Sequence, residues 1–305
     1  MVSRQAVNGA GDSAAAGDTA LAFTLPGRDA RGRIVRLDAT LGAILGAHDY
    51  PPPLAALLAE ALVLTVLIGT TLKVDEGQTT VQAQAEGGIV DLVVCDYRSG
   101  EVRGYLRFDA DRAVGIADGL TLPQLFGSGY LAITIDQAGS GERYQGIVPL
   151  EGDTLTHAVE SYFAQSEQIP TIVRAAIGGD RSGSRVAGGI VVQYLPHGET
   201  SGPRLDTRDR SNDWTHVALL AGTVTDAELV DPGLGVDELL WRLFNEDEIR
   251  VMPATPLARG CRCSVQHFEA VLSRFSSEEL ADMRGPDGAI PVNCEFCARI
   301  FPIAL

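Results

Sequence analysis

The spacing of apolar positions changes character several times along the chain, and each change predicts a different element. Residues 33–37 predict a short strand and residues 41–48 a helix. After the proline run at 51–53, Leu54, Leu57, Leu58, Ala61 and Leu62 recur at helical spacing and predict a longer helix. From residue 78 the period shifts towards strands, predicted over 80–85, 89–95, 102–108, 130–135 and 144–148. Short Gly- or Asp-containing turns separate them, which favours antiparallel pairing. Asp153 or Thr154 is placed to cap a helix reaching about residue 165, and Pro170 blocks its continuation. Two more strands, 171–177 and 190–195, flank a glycine-rich connector at 178–189. Strands are expected to finish there.

Residues 197–210 are polar, charge-dense and interrupted by Gly and Pro, so the core is expected to end near Pro196. Beyond them, Ser211 or Asp213 opens a helix with Trp214, Val217, Ala218 and Ala221 on one stripe. Thr225 or Asp226 opens a second, and 237–244 supplies a third with Leu239, Leu240, Leu243 and Phe244 apolar. Helices this short are marginal in water, so the segment must dock on something to stay folded. The expected fold is α+β: a disordered tail at 1–18, a core at 19–196 with a largely antiparallel sheet and packed helices, a helical linker at 197–255, and a small C-terminal zinc-binding module at 256–305.

Composition narrows the function. Apolar residues make up 45% of the 305 positions, enough to bury a core. The formal charge of -16 repels phosphate backbones and anionic lipid, so neither nucleic acid nor membrane is an expected partner. The apolar run at 54–72 is interrupted by Glu60 and is too short to span a bilayer, which makes a buried helix the better reading. The N-terminal residues lack the apolar stretch of a secretory signal. A cytoplasmic location follows as the expectation, and there clustered thiols point to metal or redox chemistry before structural disulfides.

Four of the five cysteines lie near the C-terminus, as Cys261-Arg262-Cys263 and, after 30 intervening residues, Cys294-Glu295-Phe296-Cys297. Two close pairs separated by a helix-sized insert can converge on one tetrahedral ion, and thiolates suit zinc. Within the insert, Ser264 can cap a helix, 276–279 resembles a capping box for a second, and 286–288 makes a turn. Some fifty residues with so little apolar content need a staple, and structural zinc contributes on the order of 10–16 kcal/mol in comparable peptides. One zinc ion per chain is expected. Zinc-bound sulfurs are thiolates, the form oxidants attack, and each pair contains its own resolving partner. From spacing alone, a permanently closed zinc ribbon serving a protein-interaction module stands as the alternative, and all three disulfide pairings stay open.

The cysteine pairs resemble those of the heat-shock protein 33 family of redox-regulated chaperones. The resemblance extends over residues 36–49, Gly104-Tyr105, 129–134, 141–146 with Val148-Pro149-Leu150, and the run 162–168. It implies a holdase that needs no ATP, inactive when reduced and zinc-bound. Oxidation would form disulfides, release zinc, unfold the module and uncover a surface for unfolding client proteins, with homodimerisation on activation. The resemblance assigns the zinc ligands to Cys261, Cys263, Cys294 and Cys297, and the disulfides to Cys261 with Cys263 and Cys294 with Cys297. The candidate client-binding residues are Trp214, Val217, Leu239, Leu240, Leu243 and Phe244, which form a linker core by default and a client surface once uncovered.

Other features carry less. Cys95 sits in an apolar strand without a basic neighbour and is read as a buried, inert thiol. The five histidines share no ligand spacing, and the glycines at 127, 129, 139 and 141 lack the Gly-Lys-Ser/Thr of a phosphate loop. No catalytic residues are expected: a deaminase needs H-x-E with P-C-x-x-C, which is not met. A thioredoxin-like CxxC needs a βαβ setting, whereas this one lies near the chain end.

Overall fold

The structure is a computed structural model that describes residues 17–71, 77–137, 141–179, 185–195 and 211–304. Residues 1–16 of the expected tail, 180–184 of the connector and the polar segment 197–210 lie outside the described residues. Asp18, at the end of the expected tail, accepts backbone N–H bonds from Asp38 and Thr40 and so fixes the entry to the first strand.

The core is built on two six-stranded sheets. The first half of the chain supplies β1 (Thr19–Leu25), β2 (Ala30–Leu37), α1 (Ala39–Leu45), α2 (Pro52–Gly69), β3 (Gln78–Gly87), β4 (Val90–Arg98), β5 (Glu101–Phe108), α3 (Leu122–Phe126), β6 (Gly127–Asp136) and β7 (Arg143–Pro149). There follow α4 (Leu155–Tyr162), β8 (Thr171–Gly179), β9 (Arg185–Tyr194), α5 (Ser211–Gly222), α6 (Asp226–Val230) and α7 (Val236–Phe244). Three two-residue strands, β10 (Arg250–Val251), β11 (Thr255–Pro256) and β12 (Ala258–Arg259), precede the cysteines. The first sheet runs β10-β1-β2-β9-β8, with β11 also on β1; the second runs β12-β5-β4-β3-β6-β7. Every pairing is antiparallel except β12 with β5.

Helix α2 explains its own sequence. Fourteen of its 18 residues are buried, because it packs against strands of both sheets and against α4. A helix covered all round needs apolar residues on every face. It is long and apolar enough to cross a membrane by composition, yet 78% of it is buried inside the fold, as the interruption by Glu60 suggested. The Glu60 carboxylate accepts the Thr156 N–H and hydroxyl, both at 2.8 Å, and thereby caps the start of α4. Gly104 permits the close approach of α2 to the second sheet, since a Cβ there would collide with the Cys95 sulfur and Leu62.

The central strands of the first sheet, β1, β2 and β9, are buried on both faces. Ala20, Val35, Val173 and Val191 face α2, whereas Leu21, Phe23, Leu25, Ile34, Ala176, Ile190 and Val192 face the helices α5–α7. The expectation that strands end at residue 195 is corrected: β10 and β11 return to β1, and β12 joins β5. Strands of two residues have no periodic signature of their own, and the sheet edges dictate them. The expected boundary between linker and module at 255/256 falls inside β11.

Candidate functional site

Beyond β12, Cys261 and Cys263 enter a small unit made of α8 (Val265–Leu272), α9 (Ser277–Met283) and the hairpin β13 (Ile290–Asn293) with β14 (Ile300–Ile303). Both helices begin as their sequences predict: the Ser264 hydroxyl accepts the His267 N–H, and Ser276 and Glu279 form a reciprocal capping box. The turn at 286–288 closes with Gly288 at φ 78. Cys294 and Cys297 occupy the tip of the β13–β14 hairpin, where the Cys294 carbonyl accepts the Cys297 N–H at 3.2 Å and the Ala298 N–H at 2.8 Å. Only Leu272, Ile290 and Ile303 are buried in the apolar cluster of this unit. That is too little to hold fifty residues together.

The four sulfurs converge instead. Cys261 Sγ lies 3.2 Å from Cys263 Sγ and 3.7 Å from Cys294 Sγ, Cys263 Sγ lies 3.6 Å from Cys297 Sγ, and all four fall within 4.8 Å of one another. A tetrahedral ion with bonds of about 2.3 Å requires sulfur separations of about 3.8 Å. The cluster fits a metal ion, and the all-sulfur donor set suits a soft or borderline one. Burial raises the Cys261 thiol, but the Cys263 N–H and the thiols of Cys263, Cys297 and Cys294 outweigh it and bring it down to about 7. Cys263 and Cys294 are pushed up, by burial first and by their sulfur neighbours next.

The remaining cysteine behaves as expected: Cys95 is fully buried in β4, and burial, with Asp96 beside it, raises its thiol well above the usual range. His267 is exposed on α8 and outside the sulfur cluster.

The linker residues form a covered interface. Val217, Leu239, Leu240 and Phe244 are fully buried and Leu243 nearly so, against the face of the first sheet that carries Phe23, Ile34 and Val192. Trp214 is half-buried, its ring 6.1 Å from that of Tyr194. Trp241, on the outward side of α7, is 62% exposed.

Polar clasps that the sequence reading missed hold this interface. Arg36, 2% exposed, donates to the carbonyls of Leu229 at 3.1 Å, Leu234 at 2.5 Å and Glu228 at 3.1 Å, so one guanidinium gathers the end of α6 and the loop after it. Arg28 donates to Asp213 at 2.6 Å and to Asp247 at 2.7 Å, and Asp247 also meets His216 at 3.0 Å. The available signal was an arginine two residues after Ile34 in a strand, on the face that receives the helices.

Residues 18–303 match the family model described as Hsp33 protein. A relative from Caulobacter vibrioides named 33 kDa chaperonin is 44% identical over 299 residues, covering 96% of each chain. One of the same name from Vibrio parahaemolyticus is 36% identical over 271 residues, covering 89% of this chain and 87% of its own. Among solved structures, the 33 kDa chaperonin (heat shock protein 33 homolog) of Thermotoga maritima superposes with a TM-score of 0.76 at 21% identity, covering 94% of both chains, which supports the fold. With a family match over nearly its whole length and curated relatives well above 30% identity, this chain belongs to the Hsp33 family.

Proposed function

We propose that this protein is a cytoplasmic, ATP-independent holdase chaperone whose C-terminal cysteines switch it on under oxidation. The observation that carries the reading is the pairing of a four-thiol cluster in a unit with almost no core of its own with a linker that buries Val217, Leu239, Leu240, Leu243 and Phe244 against the first sheet. Cys261, Cys263, Cys294 and Cys297 would hold one zinc ion, which supplies folding energy to the module and keeps its sulfurs as thiolates.

The chemistry is carried by the sulfurs. A thiolate attacks a peroxide oxygen, giving sulfenic acid and, after protonation of the leaving oxygen, water. The neighbouring thiol of the same pair displaces hydroxide from that sulfur, which forms the disulfide and a second water. Forming each disulfide therefore passes two electrons from its pair of thiols to one peroxide. Cys261 pairs with Cys263 and Cys294 with Cys297 in this proposal. Disulfide sulfurs are no longer anionic ligands, so the ion is released and the module loses its main source of stability.

The linker loses its C-terminal anchor at that point. Undocking α5–α7 would uncover Trp214, Val217, Leu239, Leu240, Leu243 and Phe244, each fully exposed large apolar side chain offering about 1.5–3 kcal/mol towards a client. The opposite face, carrying Phe23 and Ile34, would be uncovered with it. Such a surface binds unfolding proteins without turnover, and it also suits a second activated copy, giving a homodimer.

The test is aggregation suppression of a heat-unfolded client, without ATP, by reduced zinc-loaded protein and by peroxide-treated protein, with released metal followed by a chromogenic chelator. Suppression by the oxidised form alone, in step with zinc release, is expected. Equal activity in both forms, or oxidation that retains the metal, would leave a static zinc module instead.

A further inference from the structure

Each cysteine pair encloses a residue that reaches across to the second sheet. Arg262, between Cys261 and Cys263, donates to the Gln78 side-chain oxygen at 2.6 Å and brings a second nitrogen to 3.6 Å from Asp96. Phe296, between Cys294 and Cys297, lies beneath the Arg103 guanidinium, 3.9 Å from its carbon to the ring centroid, and meets the Tyr105 ring edge-on at 4.9 Å. The two contacts join at Asp96. This carboxylate is 3% exposed, binds Arg103 at 2.6 Å and 2.8 Å through one oxygen, and accepts the Thr80 hydroxyl at 2.7 Å on the other. Arg103 is thereby held over the ring.

We propose that Arg262 and Phe296 form a latch through which the core senses the metal-bound state of the cysteines, with the Asp96–Arg103 pair and Tyr105 as its receiver. The proposal rests on the redox reading above and assigns the route by which the module holds the linker. Phe296 keeps its place only while the 294–298 turn is closed, and Arg262 only while the chain bends between Cys261 and Cys263. Re-pairing the sulfurs disturbs both turns at once. The backbone anchor beside them is slight: β12 has two residues, paired with Glu101 and Val102, and Gly260 adds one bond to the Val102 carbonyl at 2.9 Å. Short strands β11 and β10 connect β12 back to α7, so a module released from the second sheet leaves the end of the linker tethered by these short pairings, the Arg28–Asp247 clasp and the buried Leu257 side chain.

The experiment uses full-length, reduced, zinc-loaded protein and reads metal content together with amide hydrogen exchange. Phe296→Ala should retain one zinc per chain while exchange at 258–260 accelerates about two- to thirtyfold, the range for losing a partly desolvated cation–π contact. Protection of α7 should fall in the same variant without oxidant. Phe296→Tyr should preserve protection. Arg103→Lys keeps Asp96 paired, removes the flat partner and leaves the module's sequence untouched, so it decides the matter if Phe296→Ala loses its metal. Unchanged exchange in Arg103→Lys, or in Phe296→Ala with zinc bound, would overturn the latch. Wild-type protein that releases its linker on oxidation while the variants stay protected leaves the redox reading standing without the latch. Deprotected variants beside a wild type that oxidation does not open would do the reverse.

Discussion

Phe23 of β1 and Phe244 of α7 face each other across the linker interface, with ring centroids 5.8 Å apart and both side chains fully buried. Their contact joins the first strand of the core to the last helix before the cysteines. Phe244→Ala should cost about 3–5 kcal/mol, the usual range for truncating a buried aromatic. The loss falls on docking of the linker, because Phe244 packs in that cluster and not around α2. Reduced Phe244→Ala protein is expected to suppress aggregation partially without oxidant, while circular dichroism retains the strand signal.

Arg36 offers a polar test of the same interface. Its three carbonyl partners would be left without a donor by Arg36→Met, at about 1–3 kcal/mol for each one that stays buried. Exchange at 228–236 in the reduced protein should accelerate by at least about tenfold, since 1.4 kcal/mol already gives that factor. Arg36→Lys should restore little, because an ammonium's three donors radiate from one nitrogen and do not span the separate positions of Nε, Nη1 and Nη2.

Glu60 gives a dependence on pH. Burial raises its carboxyl, and the donors at Thr156 and Leu155 only partly oppose this. A carboxyl whose folded pKa lies above the unfolded value favours folding most when protonated, so its contribution declines as pH rises through the folded pKa. Glu60→Gln keeps an acceptor for Thr156 without the charge. The stability of Glu60→Gln relative to wild type should therefore improve in urea unfolding as pH rises upward from the ordinary carboxylate range. A relative stability that is flat or falls over that rise contradicts the assignment.

Cys95→Ser should leave peroxide-driven zinc release at the wild-type rate. The thiol is fully buried and held protonated, and thiolate is the reactive form. A stability loss is compatible with this; loss of switching is not.

Much of the site was legible in the sequence because its signals are local. The CxC and CxxC spacings, the Ser264 cap and the Ser276–Glu279 box each involve neighbours in the chain, and the structure has them as read. The strands from 78 to 149 were found to within a few residues, since one face of their sheet is buried and the alternation records it. The interruption by Glu60 and the short apolar run marked α2 as a buried helix, but its position between two sheets depends on partners distant in sequence. The same is true of what escaped. β10, β11 and β12 exist because sheet edges offer them backbone partners, and Arg36, Arg262 and Phe296 gain their roles from residues about 150 to 200 positions away.

Hydrogen exchange on reduced, zinc-loaded and on oxidised, zinc-free protein tests the central claim most directly. The account predicts that amides from 211 to 244 are protected in the reduced form and released on oxidation, while the strands between residues 78 and 148 remain protected, because losing the metal removes the C-terminal anchor and leaves the packing around α2 intact. Chaperone activity that emerges with linker protection unchanged, or simultaneous loss of protection across the whole core, would contradict it.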